Sequence, residues 1–154
     1  MLRATRDTDA VSIELEINAP PERVFLALTD PAALSRWWTG AVEGSPTHWE
    51  IDAREGGAWR AVGEDASCGR WELGGEITLF NPFTALAYTW HETVERGDPP
   101  PAVTRVRYDL RTTPRGTLVT MTHSGFAGHP SLTDHGDGWA VLMSALQSWS
   151  ERAA

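Results

Sequence analysis

The sequence has little cysteine, no long apolar run and a deficit of positive charge. Cys68 is the single cysteine among 154 residues, so an intramolecular disulfide and a cluster of metal-binding thiolates are both excluded. A lone thiol needs no oxidising compartment, and we expect a cytoplasmic protein. The first residues, 1–10, are charged and have no apolar stretch behind them, which predicts a flexible tail and no signal peptide.

The charge balance excludes some classes of partner. There are 21 acidic and 13 basic residues, and the net charge of -8 repels phosphate backbones and anionic lipid surfaces. We therefore expect no nucleic-acid partner. No segment is apolar for long enough to span a bilayer, so no membrane insertion is expected.

Tryptophan is what the chain has in excess. A hydrophobic fraction of 41% and a charged fraction of 22% are ordinary for a globular protein, whereas eight Trp residues are not. Indoles are favoured in cores, pocket walls and interfaces. The length fits one domain, which we place at 11–154.

The first half of this domain predicts a strand, two short helices and a run of strands. Apolar residues at every second position from Val11 to Ile17 indicate a strand with one buried face. Pro20 and Pro21 suit the first turn of a helix that ends near Asp30, and Pro31 begins a second helix that Gly40 stops. Short strand candidates follow, separated by glycines: one around Trp49 and Ile51, one from Trp59 to Val62, and one from Gly69 to Leu79.

The second half predicts two more hairpin strands, a final strand and a long helix. Alternating residues place one strand around Leu86, Tyr88 and Trp90, another around Val106, Tyr108 and Leu110, and the last around Val119, Met121 and His123. Residues 131–152 show an apolar stripe at helical spacing. This helix begins either at Ser131 or, because Gly136 and Gly138 weaken an interior, at Asp137 as its N-cap.

This order of elements is α+β, and its residues resemble a known family. The matching segments are Ala19 to Phe25 with Ala27 to Pro31, Arg36-Trp37-Trp38, Gly56-Gly57, Gly75-Glu76, Tyr88-Thr89-Trp90, Thr122 to Phe126 and Gly138-Trp139. Together they resemble the START-like, or SRPBCC, superfamily, and within it the homologues of the activator of the heat-shock protein ninety ATPase, of the C-terminal-domain type. The resemblance implies a helix-grip fold, in which a curved antiparallel sheet wraps a long C-terminal helix and leaves a cavity between them.

Strand parity and helix period then predict which side chains line that cavity. The inward residues of the sheet are Trp59, Trp71, Tyr88, Trp90, Val106, Tyr108, Met121 and His123, and those of the helix are Trp139, Leu142, Met143 and Leu146. Trp37, Trp38 and Phe126 are expected near the mouth. Core filling and pocket lining are both compatible with any one of these rings.

The leading hypothesis is a protein that binds a small hydrophobic or aromatic ligand, without a cofactor. An enzyme of the cyclase or hydrolase kind is the alternative, with His123 or Tyr108 as acid or base. A chaperone-accessory module that binds another protein is a third, by analogy with the family alone. Dimerisation stays open, since no self-complementary stripe is apparent.

Other clusters suggest no further chemistry. His129, Asp134, His135 and Asp137 crowd one segment, but their spacing matches none of the standard zinc motifs, and we expect no metal. The acidic neighbours of Cys68 discourage a thiolate. The paired glycines lack the lysine and the strand-to-helix context of a phosphate loop.

Overall fold

The computed structural model describes residues 2–38, 47–65, 69–95 and 103–152. Eight strands and three helices follow one another as β1 (Arg3–Arg6), β2 (Ala10–Ile17), α1 (Pro21–Thr29), α2 (Pro31–Trp37), β3 (His48–Ile51), β4 (Ala58–Asp65), β5 (Gly69–Asn81), β6 (Ala85–Val94), β7 (Thr104–Thr113), β8 (Gly116–Ser124) and α3 (Ser131–Arg152). The order confirms the predicted α+β helix-grip arrangement.

The strands form one curved antiparallel sheet in the order β1-β2-β8-β7-β6-β5-β4-β3. Period-two alternation decides its inner face, since β2 buries Val11, Ile13, Leu15 and Ile17 while the residues between them are partly exposed. The registers carry this face across the sheet: Val106 of β7 lies opposite both His123 of β8 and Tyr88 of β6. Side chains far apart in sequence therefore share one concave surface.

The N-terminal residues are an exception to the prediction of a flexible tail. Arg3–Arg6 pairs with β2 as an edge strand, with Ala4 opposite Ile13. The Asp9 carboxylate then accepts hydrogen bonds from the backbone of Gly125 and Ala127. All four residues of β1 are exposed, so alternation could not reveal a strand that is held by backbone pairing alone.

Proline and aspartate set the limits of the first two helices, as the sequence predicts. Pro21 occupies the first turn of α1, and the Asp30 side chain caps α2 by accepting a hydrogen bond from the Ala32 amide at 3.1 Å. Trp38 is the C-cap of α2, and its indole is buried. Gly40, the predicted stop, lies outside the described residues.

Helix α3 begins at Ser131 and runs through Gly136 and Gly138 to Arg152, so Asp137 is not its N-cap. Its buried stripe faces the sheet and consists of Trp139, Leu142, Met143 and Leu146. At its far end the Arg23 guanidinium of α1 donates to the Ser150 carbonyl oxygen at 2.6 Å. Packing of the stripe outweighs the low helix propensity of the two glycines.

At Gly75 of β5 the backbone of β6 comes very close, and this lets the Trp59 side chain of β4 reach across β5. A Cβ at this position would lie 1.9 Å from the Thr89 carbonyl oxygen. The Trp59 indole of the adjacent strand donates to that same oxygen at 2.9 Å, and the ladder between β5 and β6 shifts register nearby. Glycine is therefore required where β4 reaches across β5 to β6.

Candidate functional site

The space between the sheet and α3 is occupied by aromatic rings. We call them the aromatic cluster: Trp38, Trp49, Trp59, Tyr88, Trp90, Tyr108, His123, Phe126 and Trp139. Trp38 is at its centre, with ring centroids 5.1 Å from Trp49, 6.0 Å from Trp90 and 5.3 Å from Trp139. Because these separations are contact distances, Trp38 fills the gap between the strands and the helix.

The sheet side of the aromatic cluster is a continuous set of ring contacts. Trp49 stacks on Trp59 with centroids 5.2 Å apart and an angle of 19° between the planes. Trp59 then contacts Tyr88 at 4.7 Å and Trp90 at 5.5 Å. The result is an aromatic wall built from β3, β4 and β6.

The indole nitrogens of the tryptophans differ in whether they have a hydrogen-bond acceptor. Trp37 donates to the Ala27 carbonyl oxygen at 2.8 Å, and Trp90 contacts a Glu92 carboxylate oxygen at 3.3 Å. The indole nitrogen of Trp49 is buried and has no hydrogen-bond partner within the described residues. Trp38 is likewise held by ring contacts, with no hydrogen bond from its indole in that part of the chain.

His123 is fixed in one tautomer by its two neighbours. The Trp139 indole donates to Nδ1 over 2.9 Å, and an indole nitrogen can only donate, so Nδ1 carries a lone pair. The proton of the neutral ring is then on Nε2, which donates to the Thr104 hydroxyl at 2.7 Å. Thr104 in turn donates to the Trp90 carbonyl oxygen at 3.3 Å. The imidazole therefore joins β7, β8, β6 and α3 in one chain of hydrogen bonds.

Tyr88 and Tyr108 are neighbouring phenols with ring centroids 6.2 Å apart. Burial raises the pKa of both hydroxyls, and the Tyr88 phenol raises that of Tyr108 further. The Tyr108 hydroxyl is buried, and the Tyr88 phenol is the polar neighbour whose interaction contributes to its raised pKa. Both phenols stay protonated at neutral pH and cannot act as bases there.

The structure buries most of the residues that the sequence predicts as cavity lining. The apolar ones, Val106, Met121, Leu142, Met143 and Leu146, surround the aromatic cluster. Trp71 is only partly buried and lies across Gly63, where an added Cβ would be 2.3 Å from the indole. Whether these residues contact a ligand stays a prediction.

The three residues expected near the mouth are all buried. Trp37 is anchored to α1 through Ala27, and Trp38 lies at the centre of the aromatic cluster. Phe126 contacts the His123 ring at 4.6 Å. Their place near the mouth of a ligand cavity stays a prediction.

Sequence reasoning missed two members of the site. Trp49 belongs to a strand of four residues, too short for alternation to assign a face, and only its pairing with β4 turns it inward. Thr104 shares the parity of Val106 and Tyr108, a signal that identifies it as inward, but threonine at a strand start does not by itself suggest a histidine partner.

Of the remaining candidates, the structure describes the side chains of His129 and Asp137. Cys68 and the side chains of Asp134 and His135 lie outside the described residues. In the part of the chain that is described, no three His, Cys, Asp or Glu side chains gather to hold a metal ion. Among the described residues, one groove on the outer surface lies beside Arg115 and Glu151, and another lies between Leu26 and Trp149.

The family follows from a direct match. A family model described as "Activator of Hsp90 ATPase homolog 1-like protein" matches residues 18–151, which is most of the chain. The chain belongs to this family. The predicted membership is thereby confirmed. No curated protein matches the chain.

Solved structures of similar proteins agree on the fold of this activator-homologue chain. Protein CV1439 from Chromobacterium violaceum is 23% identical, with a TM-score of 0.76 over 93% of this chain and 98% of its own. A solution structure of a protein from Arthrobacter aurescens is 18% identical, with a TM-score of 0.82 over 96% and 90%. CalU16 from Micromonospora echinospora is 21% identical, with a TM-score of 0.70 over 99% and 87%. At these identities the likeness concerns the fold alone.

None of the described helices combines the length and apolar character that crossing a bilayer requires.

Proposed function

We propose that this member of the activator-homologue family binds a small, flat, apolar molecule between the sheet and α3, and that the ligand takes the place of the Trp38 ring. The observation that carries the proposal is the position of Trp38: a buried indole, held only by ring contacts among the described residues, at the centre of an aromatic enclosure. The fold of the family supports such a ligand, since proteins with this fold commonly bind hydrophobic molecules.

The energetics favour modest affinity. A ligand that buries about 200 Å² of apolar surface gains about 5 kcal/mol at ~25 cal/mol per Å², before the cost of immobilising it. Displacing Trp38 offsets part of this gain, because the indole loses contacts with Trp49, Trp90 and Trp139. A ligand of two or three fused rings restores those contacts with its own faces.

The geometry gives less support to acid–base catalysis. Each ring nitrogen of His123 is engaged with a non-ionisable partner, Trp139 on one side and Thr104 on the other. The raised pKa of Tyr108 keeps that phenol from serving as a base near neutral pH. For a chaperone-accessory role, no described contact supplies an argument, and cytoplasmic location remains an expectation from composition.

Binding is tested with indane and fluorene, two- and three-ring apolar probes, by calorimetric titration and thermal melting. We expect both to raise the melting temperature of the wild-type protein in a concentration-dependent way. Trp38→Ala should bind indane at least about tenfold more tightly, because the ligand no longer has to displace a ring.

Trp149→Ala is the matched control. It deletes an equal side chain from the outer groove on α3, away from the aromatic cluster, and should leave probe affinity unchanged. If Trp38→Ala binds the probes while the wild-type protein binds neither, Trp38 is permanent core filling and the receptor function is refuted.

A further inference from the structure

The groove between α1 and the end of α3 has an apolar centre. Its apolar surface comes from Pro20, Ala33 and, above all, the large side chains of Leu26 and Trp149. Leu26 is 58% exposed, and the Trp149 ring is half-buried. Single exposed apolar residues are common on protein surfaces, whereas large ones that line the same groove mark a binding surface.

Carboxylates lie on both sides of this apolar centre. Glu22, Leu26 and Asp30 follow one another at intervals of four residues, so they share one side of α1, with Leu26 between the two acids. The acids are separated by two helical turns, about 12 Å along the axis. Both are exposed and line the groove, and neither forms an ion pair among the described residues.

The basic side chain in the groove lining, Arg23, is held away from these acids. Its guanidinium donates to the Ser150 carbonyl oxygen of α3 at 2.6 Å, which closes the groove at one side. The groove therefore offers an apolar centre between two negative ends, on a chain whose net charge is -8.

This combination argues against several occupants. A second copy packed groove to groove would bring Glu22 and Asp30 close to the same carboxylates of its partner, and like charges across an interface are costly. Anionic lipid surfaces are repelled by the same charges. Since both walls are helices, no free strand edge is available to pair with an extended peptide. A helix laid into the groove is the binding mode that remains.

We infer that the groove binds a short amphipathic helix of another protein. That helix carries a bulky apolar residue, with one lysine or arginine four residues before it and another four residues after it. Residues at this spacing share one face, and the two cations are then about 12 Å apart, as the acids are. The apolar residue contacts Leu26 and Trp149 while the cations meet Glu22 and Asp30. The inference is independent of the proposed function, because none of these residues belongs to the aromatic cluster.

The probe is an alanine-based, fluorescein-labelled peptide helix of about 17 residues, with a central leucine and lysines four residues to either side of it. Its counterpart has glutamine in place of both lysines. Fluorescence anisotropy titrations of the wild-type protein should give the lysine peptide an affinity about 2–30-fold higher, the range expected for two exposed ion pairs. This preference should shrink as salt is added.

Two variants of similar exposure locate the binding surface. Leu26→Lys should weaken binding of the lysine peptide at least about tenfold, because it removes the apolar contact and adds a repelling charge. Val141→Lys is the matched control: Val141 is 59% exposed on α3 and lines neither groove, so binding should be unchanged. Melting curves establish that both variants are folded.

The acids are tested by combining Glu22→Gln with Asp30→Asn, since asparagine can still cap α2. This double variant should bind the two peptides equally. The inference is overturned if the wild-type protein does not bind the lysine peptide saturably, if it binds both peptides equally, or if Leu26→Lys and Val141→Lys behave alike. Sedimentation velocity tests the remaining occupant, since a dimer that Leu26→Lys dissociates would assign the groove to a second copy and also overturn the inference.

Discussion

The indole of Trp139 on α3 donates a hydrogen bond to Nδ1 of His123 on β8, at 2.9 Å. This bond ties the helix to the centre of the sheet through two fully buried side chains. It also decides the histidine tautomer and so directs Nε2 at Thr104. A histidine that parity alone places on an apolar face is therefore a polar link between layers.

Removing the imidazole should destabilise the protein. His123→Phe leaves the Trp139 nitrogen and the Thr104 hydroxyl without this partner, and we expect a loss of about 2–4 kcal/mol in the free energy of unfolding. Adding Trp139→Phe to this variant should cost less than Trp139→Phe costs alone, because the donor is already unpaired. Chemical denaturation of both single variants and the double variant measures this coupling, and simple additivity would contradict the link.

The two tyrosines provide an optical test at alkaline pH. Tyr88 and Tyr108 are the only tyrosines of the chain, and burial raises the pKa of both above the usual value of about 10. Because the pKa of each tyrosine is higher in the folded than in the unfolded protein, the phenols contribute stability that is fully present below pH ~10. This stability is lost as the pH rises beyond ~10, since the unfolded chain ionises first.

Tyrosinate absorbance in the near ultraviolet should accordingly appear together with loss of the far-ultraviolet dichroism signal, in one transition. In Tyr108→Phe the amplitude should fall to about half, because one of two phenols remains. Ionisation of either tyrosine while the dichroism is still native would show that the phenol reaches solvent in the folded state.

Two stacked indoles form a matched pair for measuring one hydrogen bond. Trp49 and Trp59 are equally buried, but of the two nitrogens only that of Trp59 has a partner in the described part of the chain, the Thr89 carbonyl oxygen. Trp59→Phe should cost about 1 kcal/mol more than Trp49→Phe, since both lose similar packing and only the former loses the bond. Equal costs in urea denaturation would mean that the Trp49 nitrogen is satisfied in solution.

Gly75 should tolerate no side chain. In Gly75→Ala the new Cβ would meet the Thr89 carbonyl oxygen at 1.9 Å, and backbone cannot move away without disturbing β6. We expect a loss of at least about 2 kcal/mol in the free energy of unfolding, measured by chemical denaturation. Gly74→Ala, where the nearest atom is 3.2 Å away, is the neighbouring control and should cost less.

At Gly138, in contrast, substitution by alanine should stabilise the protein. It is interior to α3, and no atom lies within 4 Å of the place that an added Cβ would occupy. Gly138→Ala should therefore raise the free energy of unfolding by about 1 kcal/mol, since alanine has the higher helix propensity. An unchanged melting temperature would indicate that the helix effectively starts later, near Asp137.

The elements of this protein follow closely from local patterns. Alternation from Val11 to Ile17 identified β2, proline placed α1 and α2, and the apolar stripe of α3 predicted its buried face. These patterns work because each element must bury one face, and its period appears in neighbouring residues. The family resemblance then supplied their arrangement around the terminal helix.

What tertiary structure decided is the content of the space between sheet and helix. Periodicity assigns a side chain to a face but not to a partner, so it could not show that Trp38 fills the centre or that His123 joins Thr104 and Trp139. It also missed β1 and Trp49, whose places depend on pairing with distant strands. Ring orientations and hydrogen bonds between elements arise only when residues far apart in the chain are brought together, and on those contacts the proposed function depends.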